Sequence, residues 1–290
     1  MKKDITELFC FIDDICKYIK DAQKEIILEN SKKPRKPTRI PGLIDSEIIT
    51  ILMLFHRSPC KNFKYFYQSY LQLYHSEFPQ MPTYERFVIL QQRILPMLTS
   101  FLNCIFIRKD NVAFIDSTPL SVCHNKRNSR NKVFKGLAET GKSTKGWFHG
   151  FKMHAIVDRK GNLMNIKFTK GNAHDISVVE KISSFFKGIL VGDKGYISKD
   201  LFQNLYQKGV KLVTGSKKNM KNILMNSYEK FLLKKRSIIE TVFGYLKEIQ
   251  MIEHHRHRSP VNMFIHVIST LISYQLKSSK PSLTDYLALA

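Results

Sequence analysis

Two short runs of apolar residues constrain the fold more than any other feature of the sequence. Val112–Asp116 and Ile189–Asp193 are each five residues long, and each ends in an aspartate. Runs this short and this apolar are typical of strands that are buried on both faces of a sheet. An aspartate at the end of one strand, taken alone, is more typical of a turn or a helix cap. Two of them favour a shared cleft, because sites form at the carboxyl edge of open α/β sheets.

The pattern after residue 111 predicts a mixed sheet with helices on its faces. Phe151–Val157 and Leu163–Thr169 are predicted strands, joined by a hairpin turn that contains Gly161. The predicted order is strand, hairpin of two strands, helix, strand, helix, strand and helix, which is an α/β fold. Residues 117–149 are polar, basic and contain glycine, and they predict a long basic loop. The later elements are predicted at 175–186, 189–193, 198–208, 210–214 and 227–250.

The first 104 residues predict an all-helical region. Residues 4–29 carry apolar side chains at helical spacing, and residues 31–42 contain three prolines and five basic side chains, which predict a linker. We therefore divide the chain into a helical N-terminal region, an α/β domain with the basic loop, and a C-terminal helical tail. Their predicted bounds are 1–104, 105–258 and 259–290.

The charge of the chain predicts a polyanionic partner. There are 47 Lys and Arg residues against 24 Asp and Glu residues, so the formal net charge is +23. Nucleic acid is the first expectation for such a chain, and an anionic membrane is the second. No long basic amphipathic helix favours a membrane, and five cysteines without a CxxC pair favour a reduced, cytoplasmic protein. The most basic segments are 105–150 and 199–258.

A third acid stands on a predicted helix near the end of the α/β domain. At 100° per residue, Arg236, Glu240 and Lys247 fall on one narrow stripe beside the apolar face. The side chains of the acid and its two basic neighbours would then lie at the edge of the buried face of the helix and point across it. An ordinary surface ion pair, worth only about 0.3–0.5 kcal/mol, explains Arg236 and Glu240 equally well.

Together these strings resemble the DDE transposases of bacterial insertion sequences, and most of all the Insertion Sequence 982 family. The acids lie in Ile115–Thr118, Val191–Tyr196 and Arg236–Lys247, in the order that this group has. Two further strings, Gly150–His154 and Gly171–Asp175, are also similar to that group. The resemblance covers roughly residues 84–270.

The resemblance implies an RNase H-like mixed sheet in which Asp116, Asp193 and Glu240 are the catalytic residues and the metal ligands. Two Mg²⁺ ions are implied, with Mn²⁺ as a substitute. Water would first nick the end of the element, and the freed 3′-OH would then attack target DNA. The implied partners are the terminal inverted repeats, target DNA and a second copy of the chain, in the cytoplasm at the nucleoid, with no membrane involved.

Several basic residues are candidates for DNA binding. Near the acids, Lys194, Arg236 and Lys247 are expected either to contact phosphates or to balance the carboxylates. The pair Lys217 and Lys218 follows a predicted strand and is expected to contact the DNA backbone or to form a solvated run. The resemblance implies a place beside the site for His174, and its neighbour Asp175 is predicted to cap the following helix.

Trp147, the only tryptophan, lies between Gly146 and Gly150. It is expected either to stack on a base or to be buried in the core. Two alternatives to a transposase stay open. One is an RNase H-like endonuclease that cuts DNA without joining it, and the other is a non-catalytic DNA-binding protein derived from a transposase.

Overall fold

The computed structural model describes residues 2–29, 42–144, 146–216, 224–253 and 257–283. The chain divides into two units, one of Met1–Ile105 with Arg256–Leu276 and one of Phe106–His255 with Lys277–Ala290. The predicted linker, apart from Gly42, lies outside the described residues. The predicted DNA-binding residues Lys217 and Lys218 lie outside them as well.

The described residues of the first unit form helices and turns, which confirms the all-helical prediction for the N-terminal region. A π turn (Phe66–Tyr70) and a 3₁₀ turn (Leu71–Tyr74) follow α3, and a 3₁₀ turn (Gln91–Ile94) joins α4 to α5. The helices are α1 (Lys2–Glu29), α2 (Asp45–Arg57), α3 (Phe63–Tyr65), α4 (Tyr84–Leu90) and α5 (Leu95–Ile105), with a C-terminal helix at Pro260–Gln275.

The C-terminal helix belongs to the core of this first unit. It packs against α2 and α5, and most of its side chains are buried. Ser269 Oγ lies 2.9 Å from Nε2 of His56, so this buried hydroxyl has a partner within the unit. A helix that is apolar on nearly every side must be covered by neighbours. The sequence predicted this helix as part of a separate C-terminal tail, 259–290.

One stretch, Tyr84–Ile105, is long and apolar enough to cross a membrane by length and composition alone. The core helix of a soluble protein passes the same test. Phe87, Leu98 and Phe101 are buried within the unit. Pro96 is tolerated because it lies in the first turn of α5, where a missing N–H breaks no helical bond.

The second unit contains a six-stranded mixed sheet, which confirms the α/β prediction. The strand order is β2-β3-β1-β5-β6, and β4 pairs with β3. β1 is antiparallel to β3 and parallel to β5, and β5 is parallel to β6. The strands are β1 (Val112–Cys123), β2 (Glu139–Ser143), β3 (Gly146–Asp158), β4 (Leu163–Lys170), β5 (Gly188–Gly192) and β6 (Val210–Thr214).

Helices cover both faces of the central strand β1, so its first residues are apolar without alternation. On one face Ala113 and Ile115 belong to a cluster that includes Val179 and Leu205. On the other face α9 packs against β1. Double coverage explains why the strand begins as a continuous apolar run. The helices of this unit are α6 (Ile176–Ile182), α7 (Lys199–Gln207), α8 (Ser227–Lys234) and α9 (Ser237–Gly244).

The predicted basic loop 117–149 is wrong in part. β1 continues seven residues past Asp116, pairing with β3 as far as Cys123, and β2 and the start of β3 also fall in this segment. Asp116 therefore lies inside its strand, not at the strand's end. In this added part of the strand polar residues and Pro119 interrupt the apolar ones, of which Leu120 is buried, so no continuous apolar run marked it. A 3₁₀ helix (Asn125–Arg130) follows β1.

The long helix predicted within 227–250 is interrupted, and two shorter helices occupy its place. The chain turns at Lys235 and Arg236, between α8 and α9. A π turn at Tyr245–Ile249 follows α9. No glycine or proline marks the turn. The break gives α9 a start of its own, and it places Arg236 at the N-terminus of that helix.

Candidate active site

The register of the sheet brings the two aspartates side by side. Phe114 of β1 pairs with Val191 of β5 in the parallel ladder. Asp116 lies two residues after Phe114 within β1, and Asp193 lies two residues after Val191, directly past the end of β5. Adjacent strands run about 4.8 Å apart, so the two carboxylates leave the backbone at neighbouring positions. Asp193 follows β5 directly, as predicted, and Asp116 lies within the longer β1.

Glu240 lies on α9 and is linked to Asp116 through Arg236. The guanidinium of Arg236 bonds to Glu240 one turn along the helix, with 2.7 Å between Nη2 and Oε1. Its other terminal nitrogen, Nη1, lies 3.4 Å from Oδ2 of Asp116 on β1. One cation is thus shared by two of the three acids. The ion pair of Arg236 with Glu240 that the helical stripe predicted is confirmed, and Asp116 is an additional partner.

The three carboxylates act on one another electrostatically. Burial is the main cause that raises the pKa of Asp116 to about 6, and the negative charges of Asp193 and Glu240 contribute to that rise. The N–H of Ser117, which donates to Oδ1 of Asp116 at 2.8 Å, and the charge of Arg236 oppose that rise. The shift therefore reports a buried carboxyl group with other acids nearby, and the charge of Arg236 does not cancel it.

Tyr196 closes one side of this cluster. Its ring is buried in the core, and its backbone N–H bonds to the carbonyl oxygen of Asp193 at 3.0 Å. Burial raises the pKa of the Tyr196 hydroxyl, and the charges of Asp116, Asp175 and Asp193 contribute to the rise. The phenol therefore stands close to the acids. Tyr196 is not among the predicted site residues, although it ends the string Val191–Tyr196 that resembles the transposase group.

The donor set fits a hard divalent cation, although a closed metal site is not formed. Carboxylate oxygens are the ligands that Mg²⁺ prefers, and the charges of Asp193 and Glu240 are close enough to Asp116 to affect its pKa. Among the residues that the structure describes, no three His, Cys, Asp or Glu side chains are grouped as a metal site. In place of a metal, the cation between Asp116 and Glu240 is Arg236.

The other predicted binding residues have different surroundings. Lys194 is exposed and follows Asp193, and its side chain runs close to Gly215. Lys247 donates to the carbonyl oxygen of Pro119 at 2.7 Å and pairs with Glu253 at 2.9 Å. Its ammonium therefore joins α9's π turn to β1.

His174 is exposed and precedes α6, where its carbonyl oxygen accepts bonds from Ser177. The predicted cap at Asp175 is wrong, because this side chain makes no capping bond. It pairs instead with Nζ of Lys152 at 3.0 Å, and the same ammonium donates to the carbonyl oxygen of Ala173.

That ion pair joins the two extra strings of the sequence. Lys152 and His154 come from Gly150–His154, and Asp175 ends Gly171–Asp175. Nδ1 of His154 lies 4.0 Å from Asp175, and its Nε2 lies 2.8 Å from Oγ1 of Thr169. Both strings are similar to the same family in sequence. Only the side-chain contacts of the folded chain show that they form one polar cluster.

Comparison with known proteins identifies the group to which the chain belongs. Residues 106–260 match the family model described as a transposase DDE domain. This match covers 155 of the 290 residues, more than half of the chain. No curated protein matches the sequence. DDE transposase domains generally use divalent metals, in agreement with three acids gathered from β1, β5 and α9. The chain belongs to the family of DDE-type transposases.

Proposed function

We propose that this protein is a DNA transposase that cleaves the ends of its own insertion sequence and joins the freed 3′-OH to target DNA. The observation that carries the proposal is the convergence of Asp116, Asp193 and Glu240 from three elements that lie far apart in the sequence. Each acid affects the ionisation of Asp116. The quoted motif strings favour a transposase of the Insertion Sequence 982 type.

The sheet supports an RNase H-like catalytic domain over residues 105–258. An antiparallel hairpin, β3 and β4, flanks β1 on one side, and the parallel strands β5 and β6 flank it on the other. The acids then stand on the central strand, at the end of its parallel neighbour and on a covering helix. That distribution supports a shared site at the carboxyl end of β5, beside the middle of β1.

Asp116, Asp193 and Glu240 would hold two Mg²⁺ ions, and Mn²⁺ would substitute for them. When bound, the ions would supply positive charge to the scissile phosphate and to the attacking and leaving oxygens. The chain's own contribution is positioning. β1 and β5 fix the two aspartates at neighbouring positions, and Arg236 orients Glu240 against β1.

The rest of the chain would serve DNA binding. The helical region 1–104 would recognise the terminal inverted repeats, while the basic residues of the α/β domain would contact phosphates, among them Lys194, Lys217, Lys218, Arg236 and Lys247. The tail 259–290 would support the helical region. A homodimer would hold two element ends, in the cytoplasm at the nucleoid. The net charge of +23 supports a DNA partner.

A strand-transfer assay tests this proposal. The full chain is incubated with Mg²⁺, a plasmid target and a precut duplex that ends in a 3′-OH, its sequence taken from the inverted repeats that flank the reading frame. Joined product is expected, and Asp193→Asn should abolish it while DNA binding persists. Asp200→Asn, a change at an exposed residue of α7, is the matched control and should join DNA normally.

Cleavage without joined product would favour the endonuclease alternative. Binding without either reaction would favour a non-catalytic DNA-binding protein. Joining that survives Asp193→Asn would remove this residue from the site.

A further inference from the structure

Trp147 projects from the sheet into solvent, so the core interpretation of this residue is wrong. It lies on β3, and 62% of its side chain is exposed, while its neighbour Phe148 is buried. Across the ladder it pairs with Lys142 of β2, whose ammonium lies 5.8 Å from the centroid of the indole ring. An exposed indole with a cation beside its face is suited to a flat, electron-rich and negatively charged partner.

The 3₁₀ helix Asn125–Arg130 is fixed beside this tryptophan. Asn125 donates its side-chain amide to the carbonyl oxygen of Trp147. One turn later, Asn128 donates to Oγ1 of Thr140 on β2 at 2.6 Å. A 3₁₀ helix has three residues per turn, so the two asparagines share one edge, which faces the strands.

The same periodicity places the cations of this helix on other edges. Arg127 and Arg130 are one turn apart and stack along a second edge, and Lys126 lies on a third. All three are exposed. The hairpin thus presents an indole, and the helix beside it presents three cations that point away from the strands. We call these four residues together with Lys142 the Trp147 surface.

Few acidic residues lie near these cations in the sequence. Throughout the described ranges, none of Lys126, Arg127, Arg130 and Lys142 forms a salt bridge with a carboxylate. Between His124 and Thr144 the only acid is Glu139, which pairs with Lys170. Uncompensated cations held on rigid elements favour a polyanion, because phosphates release counterions when they are neutralised.

We propose that the Trp147 surface binds unpaired DNA, with a base stacked on the indole and phosphates on the neighbouring cations. This inference rests on the proposed action on DNA. The faces of paired bases are covered by their neighbours within a duplex, so an indole stacks on a base only where the strand is unpaired or splayed. The chemistry therefore selects a single strand over an intact duplex.

The register of the strands places this contact away from the carboxylates. Along β1, seven residues separate Asp116 from Cys123, which pairs with His149 on β3, and Trp147 lies two residues further. At about 3.3 Å per residue the separation is about 25–30 Å along the strands. A stacked strand advances about 3.4 Å per nucleotide, as in B-DNA, and an extended unpaired strand advances further, so about eight nucleotides or fewer would span this distance. The contact is thus separate from the reacting end.

The single tryptophan makes this inference directly measurable. When the full chain is excited at a wavelength that its tyrosines do not absorb, the intrinsic fluorescence reports on Trp147 alone. An oligothymidylate of about 20 nucleotides is expected to quench that fluorescence at saturation, and an intact duplex of equal length is expected to quench it far less. An unchanged emission with the single strand, or equal quenching by the duplex, would overturn the inference.

Substitutions distinguish the contribution of base stacking to oligothymidylate binding from the contribution of charge. Trp147→Ala should weaken oligothymidylate binding by about 5- to 100-fold, as measured by anisotropy of a labelled oligonucleotide, whereas Trp147→Phe should retain most of the affinity. Tyr206→Leu is the matched control, because Tyr206 is 76% exposed on α7, away from this surface in the fold. Arg127→Gln with Arg130→Gln should lower the salt dependence of binding by about 0.7 per cation. Wild-type affinity in Trp147→Ala would contradict the inference.

The joining assay keeps this inference distinct from the proposed function. If the wild-type chain joins precut DNA and Trp147→Ala binds oligothymidylate normally, the surface is refuted and the transposase proposal stands. If the wild-type chain binds single strands through Trp147 but neither cuts nor joins DNA, the transposase proposal is refuted and the surface stands.

Discussion

Nη1 of Arg236 lies 3.4 Å from Oδ2 of Asp116, although the two residues are 120 positions apart in the chain. Arg236 precedes the first residue of α9, and Asp116 lies in the central strand. The same guanidinium bonds to Glu240 at 2.7 Å. It therefore connects the helix that carries one candidate ligand to the strand that carries another.

Arg236→Gln should destabilise the protein by about 1–3 kcal/mol, because two half-buried charge-assisted bonds are lost and two carboxylates are left without their shared cation. Urea denaturation at neutral pH measures the change. Lys234→Gln removes the same charge from an exposed position of α8 and should change stability by less than about 0.5 kcal/mol. Equal effects in the two variants would mean that Arg236 acts only through net charge.

A divalent cation should partly replace the lost guanidinium. We expect Mg²⁺ to raise the thermal midpoint of Arg236→Gln more than that of the wild-type chain, with an extra rise of about 2–4 °C for each kcal/mol recovered. The reason is that the proposed ion would use Asp116 and Glu240, the carboxylates that bind Arg236. Differential scanning with and without chelator provides the measurement. A smaller rise in the variant would show that Arg236 helps to assemble the metal site.

The sequence predicted the parallel strands well, since they are buried on both faces. Val210–Thr214 was predicted with its observed bounds, and the strand before Asp193 was placed within one residue. The end of β1 was not predictable from apolar runs, because polar residues and a proline interrupt the apolar ones after Asp116, although Thr118 and Leu120 are buried. Their strand character comes from pairing with β3, which is a contact between distant parts of the chain.

The site residues show the same limit. The helical stripe correctly paired Arg236 with Glu240, since a spacing of four residues is local. Lys247 was expected on that stripe too. The π turn Tyr245–Ile249 has a wider turn than an α-helix, so it shifts the angular position of this lysine. Its actual partners, Pro119 and Glu253, are tertiary contacts that no periodicity encodes.

The Lys152–Asp175 ion pair should be stronger than a surface pair of similar length. Nζ of Lys152 lies 3.0 Å from Oδ1 of Asp175, and only 14% of the lysine side chain is exposed. A double-mutant cycle with Lys152→Met and Asp175→Asn should give a coupling of about 1–2 kcal/mol. The exposed pair Lys208–Glu180, at 2.8 Å, is the matched control and should give less than about 0.5 kcal/mol. Equal couplings would show that burial adds nothing here.

His154 should make the protein sensitive to mild acid. Burial lowers the pKa of His154 to about 4 from its ordinary 6.5, with Asp175 opposing that shift and Lys152 and Lys167 adding to it. Between these pH values the unfolded state binds more protons than the folded state. Stability from this group is therefore complete above pH 6.5 and is lost as the pH falls towards 4, by up to about 3 kcal/mol.

The comparison with His154→Gln isolates this contribution from other groups that titrate in the same range. The stability difference between the wild-type chain and this variant, measured by urea denaturation, should shrink or reverse between about pH 7 and about pH 4. His174→Gln, a change at an exposed histidine, should leave the pH profile of the wild type unaltered. A constant difference for His154→Gln would exclude the mechanism.

Two glycines of the α/β unit should respond to alanine with opposite signs. A Cβ at Gly141 on β2 would lie 1.9 Å from the carbonyl oxygen of Gly171, the residue that opens the Gly171–Asp175 string. The backbones must separate to admit it, so Gly141→Ala should cost at least about 2 kcal/mol. Gly244 ends α9 with helical φ and ψ, and a Cβ there meets no atom within 4 Å.

Gly244→Ala should therefore stabilise the protein by about 0.5–1 kcal/mol, because alanine restricts the unfolded chain without strain in the helix. Chemical denaturation of both variants measures the contrast. If Gly141→Ala were as stable as the wild type, β2 would not pack directly on the turn after β4. The glycine at position 171 would then need an explanation other than the close approach of two backbones.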